Sequence, residues 1–294
     1  MDERDWLTDR FEEHRPRLRA VAYRMLGSLS EADDAVQDAW LRATRADTGK
    51  VENLGGWLTT VVARVCLNML RSREHRREAP LDIPLSDPVI DPEDGGDPER
   101  EALMADSIGP ALLVVLDTLT PAERLAFVLH DMFAVPFDEI APMIEKTSAA
   151  TRQLASRARR RVKGSTQAPA ADLARQRRVV DAFLAATRGG DFDALVGLLH
   201  PGVVLRADKA VVPTPEPIVI EGGRTVAKGA MAAMGRARFT GTALVDGAVA
   251  LAMAPLGRLS LVLRFTITED RITEIDVIAE PERLRRLEIA VLDA

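Results

Sequence analysis

A single cysteine, Cys66, in 294 residues leaves no partner for an internal disulfide and too few thiolates for a cysteine-based zinc site. It falls within an apolar helical run, where a thiol behaves as a small buried hydrophobe. No apolar stretch approaches the roughly 20 residues needed to cross a bilayer as a helix. The opening MDERDWLTDRFEEHR is charged throughout, unlike a secretory signal. The expectation is therefore a soluble, cytoplasmic chain with no membrane partner. A net charge of -6 excludes a generic polycation, so any nucleic-acid contact has to come from local basic patches. Hydrophobic content of 47% and charged content of 29% are those of a globular protein, long enough for two or three domains.

Acidic residues are missing altogether between Lys146 and Asp172. The stretch PFDEIAPMIEKTSAATRQLASRARRRVK, residues 136–163, reads as two short helices around a tight turn. Phe137, Ile140, Ala141 and Ile144 form the apolar stripe of the first, and Glu145-Lys146 makes the turn. Thr147 or Ser148 caps the second through its hydroxyl. That helix turns Thr151, Ala155 or Leu154, Ala158 and Val162 to one side, and Arg152, Gln153, Ser156, Arg157 and Arg160 to the other. A helix-turn-helix lays such a helix in the DNA major groove, where Arg bonds guanine, Gln bonds adenine and further Arg residues neutralise phosphate. The bland competitor is a solvated basic helix in an ordinary hairpin.

Residues 5–78 also read as helical. Leu7, Phe11, Leu18, Val21, Ala22 and Met25 line a first helix, with Pro16 expected to kink or break it. Ser30 and Asp33 make a capping-box pattern for a helix over 31–44, with Ala35, Val36, Ala39 and Trp40 inward and Asp33, Asp34, Gln37 and Asp38 outward. A loop over 50–56 precedes a helix over 57–73, in which Leu58, Val61, Val62, Val65, Cys66 and Met69 or Leu70 pack and Arg64, Asn68, Arg71 and Arg73 face out. Trp57 is either core or a platform on which an unpaired base stacks. Residues 79–100 hold five prolines and seven acids before Arg100, the composition of an extended anionic linker. Thr120-Pro121-Ala122-Glu123 is a strong helix start. Neither a nucleophile, nor a metal cluster, nor a phosphate loop occurs in this half, and no cofactor or metal is expected.

After the small-residue stretch GSTQAPAA, 164–171, the pattern changes. Helices over 173–188 and from Asp191 lead into strands at 201–206 and 218–220, a helix over 225–237, and one strand-like run over 244–253. Strict alternation of Leu259, Leu261, Leu263, Phe265 and Ile267 marks a half-buried strand; Glu269-Asp270 turns it back, and a closing helix is expected over 281–292. Helices followed by an antiparallel sheet give an α+β domain. Its polar candidates for a pocket are Arg206, Asp208, Asp246 and Asp276, the last because it sits between Ile275 and Val277. A strand carboxylate is usually solvated, so no catalytic residue is expected.

The blocks EADDAVQDAWLRA (31–43), GGWLTTVVARVCLNMLRSR (55–73), LDTLTPAERLAFVLHDMFAVPFDEIA (116–141) and ATRQLASRARRRV (150–162) resemble the extracytoplasmic-function (ECF) sigma factors of the sigma-70 family. GGDFDALVGLLHPGVVLRAD (189–208) and the final hairpin resemble a SnoaL-like cone. The whole is similar to the SigJ-type group, which carries that domain as a C-terminal extension. It departs from the group's expected linker motif at LDIPLSDP (81–88) and from its glycine-rich stretch at ADKAVVPTP (207–215). The resemblance implies a multi-domain chain of all-α regions 2 and 4 followed by the α+β cone. The implied plan is region 2 over 1–78, an acidic linker over 79–105, region 4 over 106–163, a short linker over 164–171 and a SnoaL-like regulatory domain over 172–294.

As partners the resemblance implies RNA polymerase core and promoter DNA, with room for a small ligand in the cone; a separate anti-sigma factor is not implied. It assigns Asp33, Asp34, Gln37 and Asp38 to docking on polymerase. Asn53, Trp57, Arg64, Asn68 and Arg71 take the -10 element, and Ser148, Arg152, Gln153, Ser156, Arg157 and Arg160 the -35 element. The rival expectations are a ligand-sensing helix-turn-helix repressor and a fused SnoaL-like enzyme.

Overall fold

A computed structural model describes residues 3–46, 48–78, 109–164, 169–211 and 216–292. The acidic linker expected over 79–105 lies outside these residues, as do half of the short linker over 164–171 and the end of the ADKAVVPTP stretch. The chain gathers into two compact units, Met1–Glu101 with Leu116–Arg159, and Ala102–Val115 with Arg160–Ala294.

The first unit is helical. Helices α1 (Glu3–Leu26), α2 (Leu29–Ala43) and α3 (Leu54–Glu78) share a core that includes Phe11, Leu18, Tyr23, Val36, Leu58 and Leu67. Of the kink or break expected at Pro16, the break does not occur: α1 runs continuously through it. An interior proline costs about 3 kcal/mol, but burial of Phe11 on one side and Leu18 and Val21 on the other outweighs that loss. Helix α2 begins two residues earlier than its capping-box pattern predicts. Ser28 is its N-cap, with no side-chain cap bond, while the Ser28 and Ser30 hydroxyls lie 2.9 Å apart and bond each other. Helix α3 also starts early, because Asn53 Oδ1 accepts the Gly56 backbone N–H at 2.9 Å and so caps it.

Helix α4 (Pro110–Thr118) crosses the division between the units, and α5 (Pro121–Phe127) follows in the first. The expected start of α5 is present as a full capping box between Thr120 and Glu123, with Pro121 in the first turn. A π-helical turn over Val128–Met132 leads to α6 (Phe137–Ile140), a 3-10 turn, Glu145 at φ 55° and α7 (Ser148–Lys163). Thr147 is the capping residue of α7, its Oγ1 accepting from Ala150 N at 3.2 Å.

A charged group lies inside this unit. Arg124 is 2% exposed; its Nε donates to the Arg24 carbonyl at 3.1 Å and its Nη1 stands 3.6 Å from Asp117. Burial lowers its guanidinium to about 10, opposed by Asp117. The same burial pushes the Cys66 thiol up to about 12, in keeping with the inert thiol expected.

The second unit is α+β. Its sheet has seven strands: β1 (Leu199–Ala207), β2 (Ile218–Glu221), β3 (Thr240–Val245), β4 (Ala248–Met253), β5 (Leu261–Thr268), β6 (Arg271–Ile278) and β7 (Ile289–Ala290), in the order β2-β1-β6-β5-β4-β3-β7. The sheet is mixed rather than purely antiparallel, because β1 runs parallel to β6. The single run expected over 244–253 is two strands. Asp246 (φ 51°) and Gly247 (φ 80°) form the tight turn between them, a dipeptide whose left-handed conformation suits hairpins. The expected closing helix stops after one turn, α12 (Pro281–Leu284), and the chain then adds β7 beside β3.

Helices α8 (Ala170–Gly189), α9 (Phe192–Leu198), α10 (Gly223–Ala232) and α11 (Met234–Ala237) belong to this unit. Val180, Phe183, Leu195 and Val226 from the helices form one core with Leu251, Ile275 and Val277 of the sheet. Ala243, Val245, Ala250, Ala252 and Val262, on the opposite face, pack with Ala111, Val114 and Val115. Both faces of the central strands are thus buried, which hides the alternation that a half-buried strand shows.

Candidate nucleic-acid interface

Helix α7 is two-faced because its apolar residues recur at helical spacing while its charges fill the positions between. Thr151, Leu154, Ala155 and Ala158 are buried; Arg152, Gln153, Arg157 and Arg160 are exposed, and Ser148 and Ser156 are half-buried. Three guanidiniums are held by the fold. Arg152 lies over the Phe137 ring, 5.5 Å from its centroid, and so is braced by the preceding helix of the motif. Arg157 Nε pairs with Glu123 Oε1 at 3.1 Å. Arg159 Nε pairs with Asp131 at 2.7 Å. The Glu123 side chain is only 7% exposed and also serves the Thr120 cap, so one carboxylate ties the start of α5 to the outer face of α7. An Arg held on one nitrogen keeps further donors for a second acceptor.

On α3, Arg64, Asn68 and Arg71 are exposed at helical spacing, and the half-buried Trp57 precedes them on the same stripe. Asn53 is exposed, but its carboxamide oxygen is committed to the cap. A Cβ at Gly56 would stand 2.7 Å from Asn53 Nδ2, so the close approach of the cap requires glycine there. Arg73, expected to face out, instead folds back: Nη1 donates to the Leu26 carbonyl at 3.2 Å and Nη2 pairs with Glu31. It faces α2 rather than solvent because the end of α1 offers it an unpaired carbonyl.

The acidic face of α2 is partly occupied by its own chain. Arg19 clasps Asp33 with two bonds, at 2.6 and 2.8 Å, and Arg42 pairs with Asp38 at 2.9 Å. Asp34 and Gln37 are exposed. Exposed pairs of this kind contribute about 1 kcal/mol or less, so an incoming cation can displace them. A groove lined by Asp34, Asp38, Arg42, Val65 and Asn68 brings the acidic face of α2 next to the outward face of α3.

Of the four polar residues expected in a cone pocket, Arg206 and Asp276 line one groove on the sheet with Arg264 and Glu274, and none of the four lines the apolar cavity of this unit. Arg206 and Asp276 are directly opposite in register, on the sheet face away from the apolar residues Leu205 and Ile275. Arg206 pairs there with Glu274 at 3.6 Å and Asp276 with Arg283 at 3.1 Å. Asp246 lies in the β3–β4 turn and accepts the Glu288 N–H at 3.0 Å. Asp208 is buried, but as a staple: one carboxylate oxygen accepts from Ala279 N and Glu280 N, both at 2.8 Å. The alternation that turns Asp276 away from Ile275 and Val277 also turns it away from the cavity, which those two residues line. A pocket in this domain was expected, but its apolar lining and the nearby Arg236 were not; their only signal was the run of small residues over 229–237.

Among the described residues, no group of three or more His, Cys, Asp and Glu side chains could hold a metal ion. No described helix is long and apolar enough to cross a membrane.

Residues 10–76 match the family model for sigma-70 region 2, and residues 110–162 that for sigma-70 region 4. The chain is 44% identical over 199 residues to the ECF RNA polymerase sigma factor SigJ of Mycobacterium tuberculosis, an alignment covering 67% of this chain and 64% of that protein. It therefore spans a little under two thirds of that relative's length. With the probable ECF RNA polymerase sigma factor SigI of the same species it shares 38% identity over 214 residues, covering 72% of this chain and 74% of that one. The crystal structure of M. tuberculosis SigJ aligns over 95% of this chain and 98% of its own, at 32% identity and a TM-score of 0.45.

Proposed function

We propose that this chain, which belongs to the ECF RNA polymerase sigma factors, directs polymerase core to promoters and starts their opening. The carrying observation is the pair of separately built cationic helix faces: Arg152, Gln153, Arg157 and Arg160 on α7, and Arg64, Asn68 and Arg71 on α3. In this reading α7 lies in the major groove of the -35 element, with Ser148 and Ser156 contributing hydroxyls. The α3 face, with Trp57 and the Asn53 cap, takes the -10 strand as it leaves the duplex. Extruding a base costs a few kcal/mol, which stacking and phosphate pairing can supply without any bond chemistry. Asp33, Asp34, Gln37 and Asp38 dock on polymerase core, trading their own arginines for those of the partner.

The domain plan of this reading keeps 1–78 for core and -10 binding, 106–163 for -35 binding and 172–294 for regulation. A covalently joined regulatory domain acts at high effective concentration and needs no separate anti-sigma protein. No catalytic role is assigned to the second unit: of its candidate carboxylates, Asp208 is spent on backbone N–H groups and Asp276 on an arginine on the far face of the sheet.

Run-off transcription from the promoter upstream of the chain's own gene, with purified core and the full chain, tests this reading. A transcript that requires both is expected. Silence, together with tight duplex binding in the absence of core, would favour a repressor.

A further inference from the structure

The second unit holds a cavity of about 220 Å³ between the sheet and helices α8, α10 and α11. Its walls are almost wholly hydrocarbon: Phe183, Leu205, Ile220, Leu251, Leu263 and Ile275 close it from helix and strands. The two hydroxyls at its edge are already committed, Thr187 Oγ1 to the Phe183 carbonyl at 2.8 Å and Thr240 Oγ1 to the Arg236 carbonyl at 3.2 Å. The space exists because the facing helices carry small residues there. A Cβ built on Gly229 would meet nothing within 4 Å. A dry apolar void forfeits dispersion contacts along its whole lining, so a molecule that fills it is favoured.

One charged residue, exposed on α11, borders this apolar space. Arg236 lines the cavity from α11 and has no hydrogen-bond or ion-pair partner for its guanidinium among the described residues. No acidic residue lines the cavity. Arg188 adds a second cation beside it, donating to the carbonyls of Ala237 at 3.1 Å and Thr240 at 2.7 Å.

We propose that this cavity is a binding site for a small amphipathic anion: an apolar body within the cavity and a carboxylate, or a similar anionic end, on Arg236. An apolar cavity of roughly 150 Å³ accommodates benzene, so this one takes an acyl or aryl body of about ten heavy atoms. The site is distinct from the polar residues on the opposite sheet face, and it does not depend on the transcription reading.

The test uses the full chain without polymerase or DNA, so its failure and that of the promoter reading are separable. Octanoate and octanol are titrated by calorimetry, with thermal unfolding as a second readout. Saturable octanoate binding, tighter than octanol, with a raised melting temperature, is the expected result. Arg236→Gln should weaken octanoate at least fivefold and leave octanol unchanged. Ala230→Trp, which fills the cavity, should abolish both while unfolding stays cooperative; Gly229→Leu takes its place if the tryptophan variant does not fold. Absence of saturable binding by wild type would overturn the proposal, as would undiminished octanoate binding in a folded, filled variant. Equal affinity for octanoate and octanol, unmoved by Arg236→Gln, would refute the anionic end.

Discussion

The outward face of α7 and the cavity of the second unit make opposite demands on the sequence that encodes them. On α7, the proposed function lies in what projects from a single helix, so the residue spacing alone names the face. In the cavity, walls from six strands and three helices converge, and no short stretch contains them. The first kind of site changes by exchanging side chains on a fixed scaffold. The second changes whenever register, turn or helix length changes.

Four predictions press on that contrast, from the largest effect to the smallest. The first strikes the architecture of the second unit. Asp208→Ala strands two N–H groups of half-buried residues, at Ala279 and Glu280, and removes a partner of Arg283, at 3.5 Å. It should cost about 3 kcal/mol, read as roughly 100-fold faster hydrogen exchange at those amides. All three tryptophans, Trp6, Trp40 and Trp57, lie in the first unit, so their fluorescence transition should not move. If it moves equally, the two units do not unfold as separate bodies and the contrast fails.

The second touches the exposed face. Arg152→Ala should cost roughly 1–3 kcal/mol on a -35 duplex if Arg152 bonds guanine with two donors, with no change in melting temperature beyond loss of the Phe137 contact. Equal losses on promoter and scrambled duplexes would make it a phosphate contact. Third, Thr120→Ala removes the hydroxyl side of the capping box, the Oγ1 that accepts from Glu123 N, and should destabilise the first unit by about 1 kcal/mol, measured by urea unfolding; no change would mean the cap is dispensable.

The smallest effect is a pH dependence within the first unit. The Cys66 thiol is raised from 9.0 to about 12, so its contribution is complete below pH 9 and lost as pH rises towards 12. Arg124, lowered from 12.5 to about 10, acts with the opposite sign, adding stability only above pH 10. Between pH 9 and 10 the thiol acts alone. Stability should fall there, and Cys66→Ala should flatten the fall in urea titrations; an unchanged slope would place the cause elsewhere.

What was legible followed from local rules. The Thr120 capping box, the helix-turn-helix, the Asp191 cap and the Glu269-Asp270 turn each rest on contiguous residues. Local rules failed where distant burial overrode them. Pro16 is carried through α1 by the core on either side, and Arg73 turns inward to a carbonyl 47 positions away. The Asp246-Gly247 hairpin was readable from its dipeptide, yet the continuous apolar run around it, buried on both faces, hid the break. Asp276 shows the limit for the site. Alternation told correctly that it opposes Ile275 and Val277, but which face holds the cavity depends on where the helices lie.

In the proposed function the α3 and α7 faces divide the work, one opening the promoter and the other reading the duplex. Permanganate reactivity of -10 thymines, in complexes of core with the full chain, tests it most directly. In the Arg64→Ala and Arg71→Ala double variant, thymine reactivity should be lost while protection of the -35 element persists. Undiminished reactivity in that variant, or simultaneous loss of -35 protection, would contradict it.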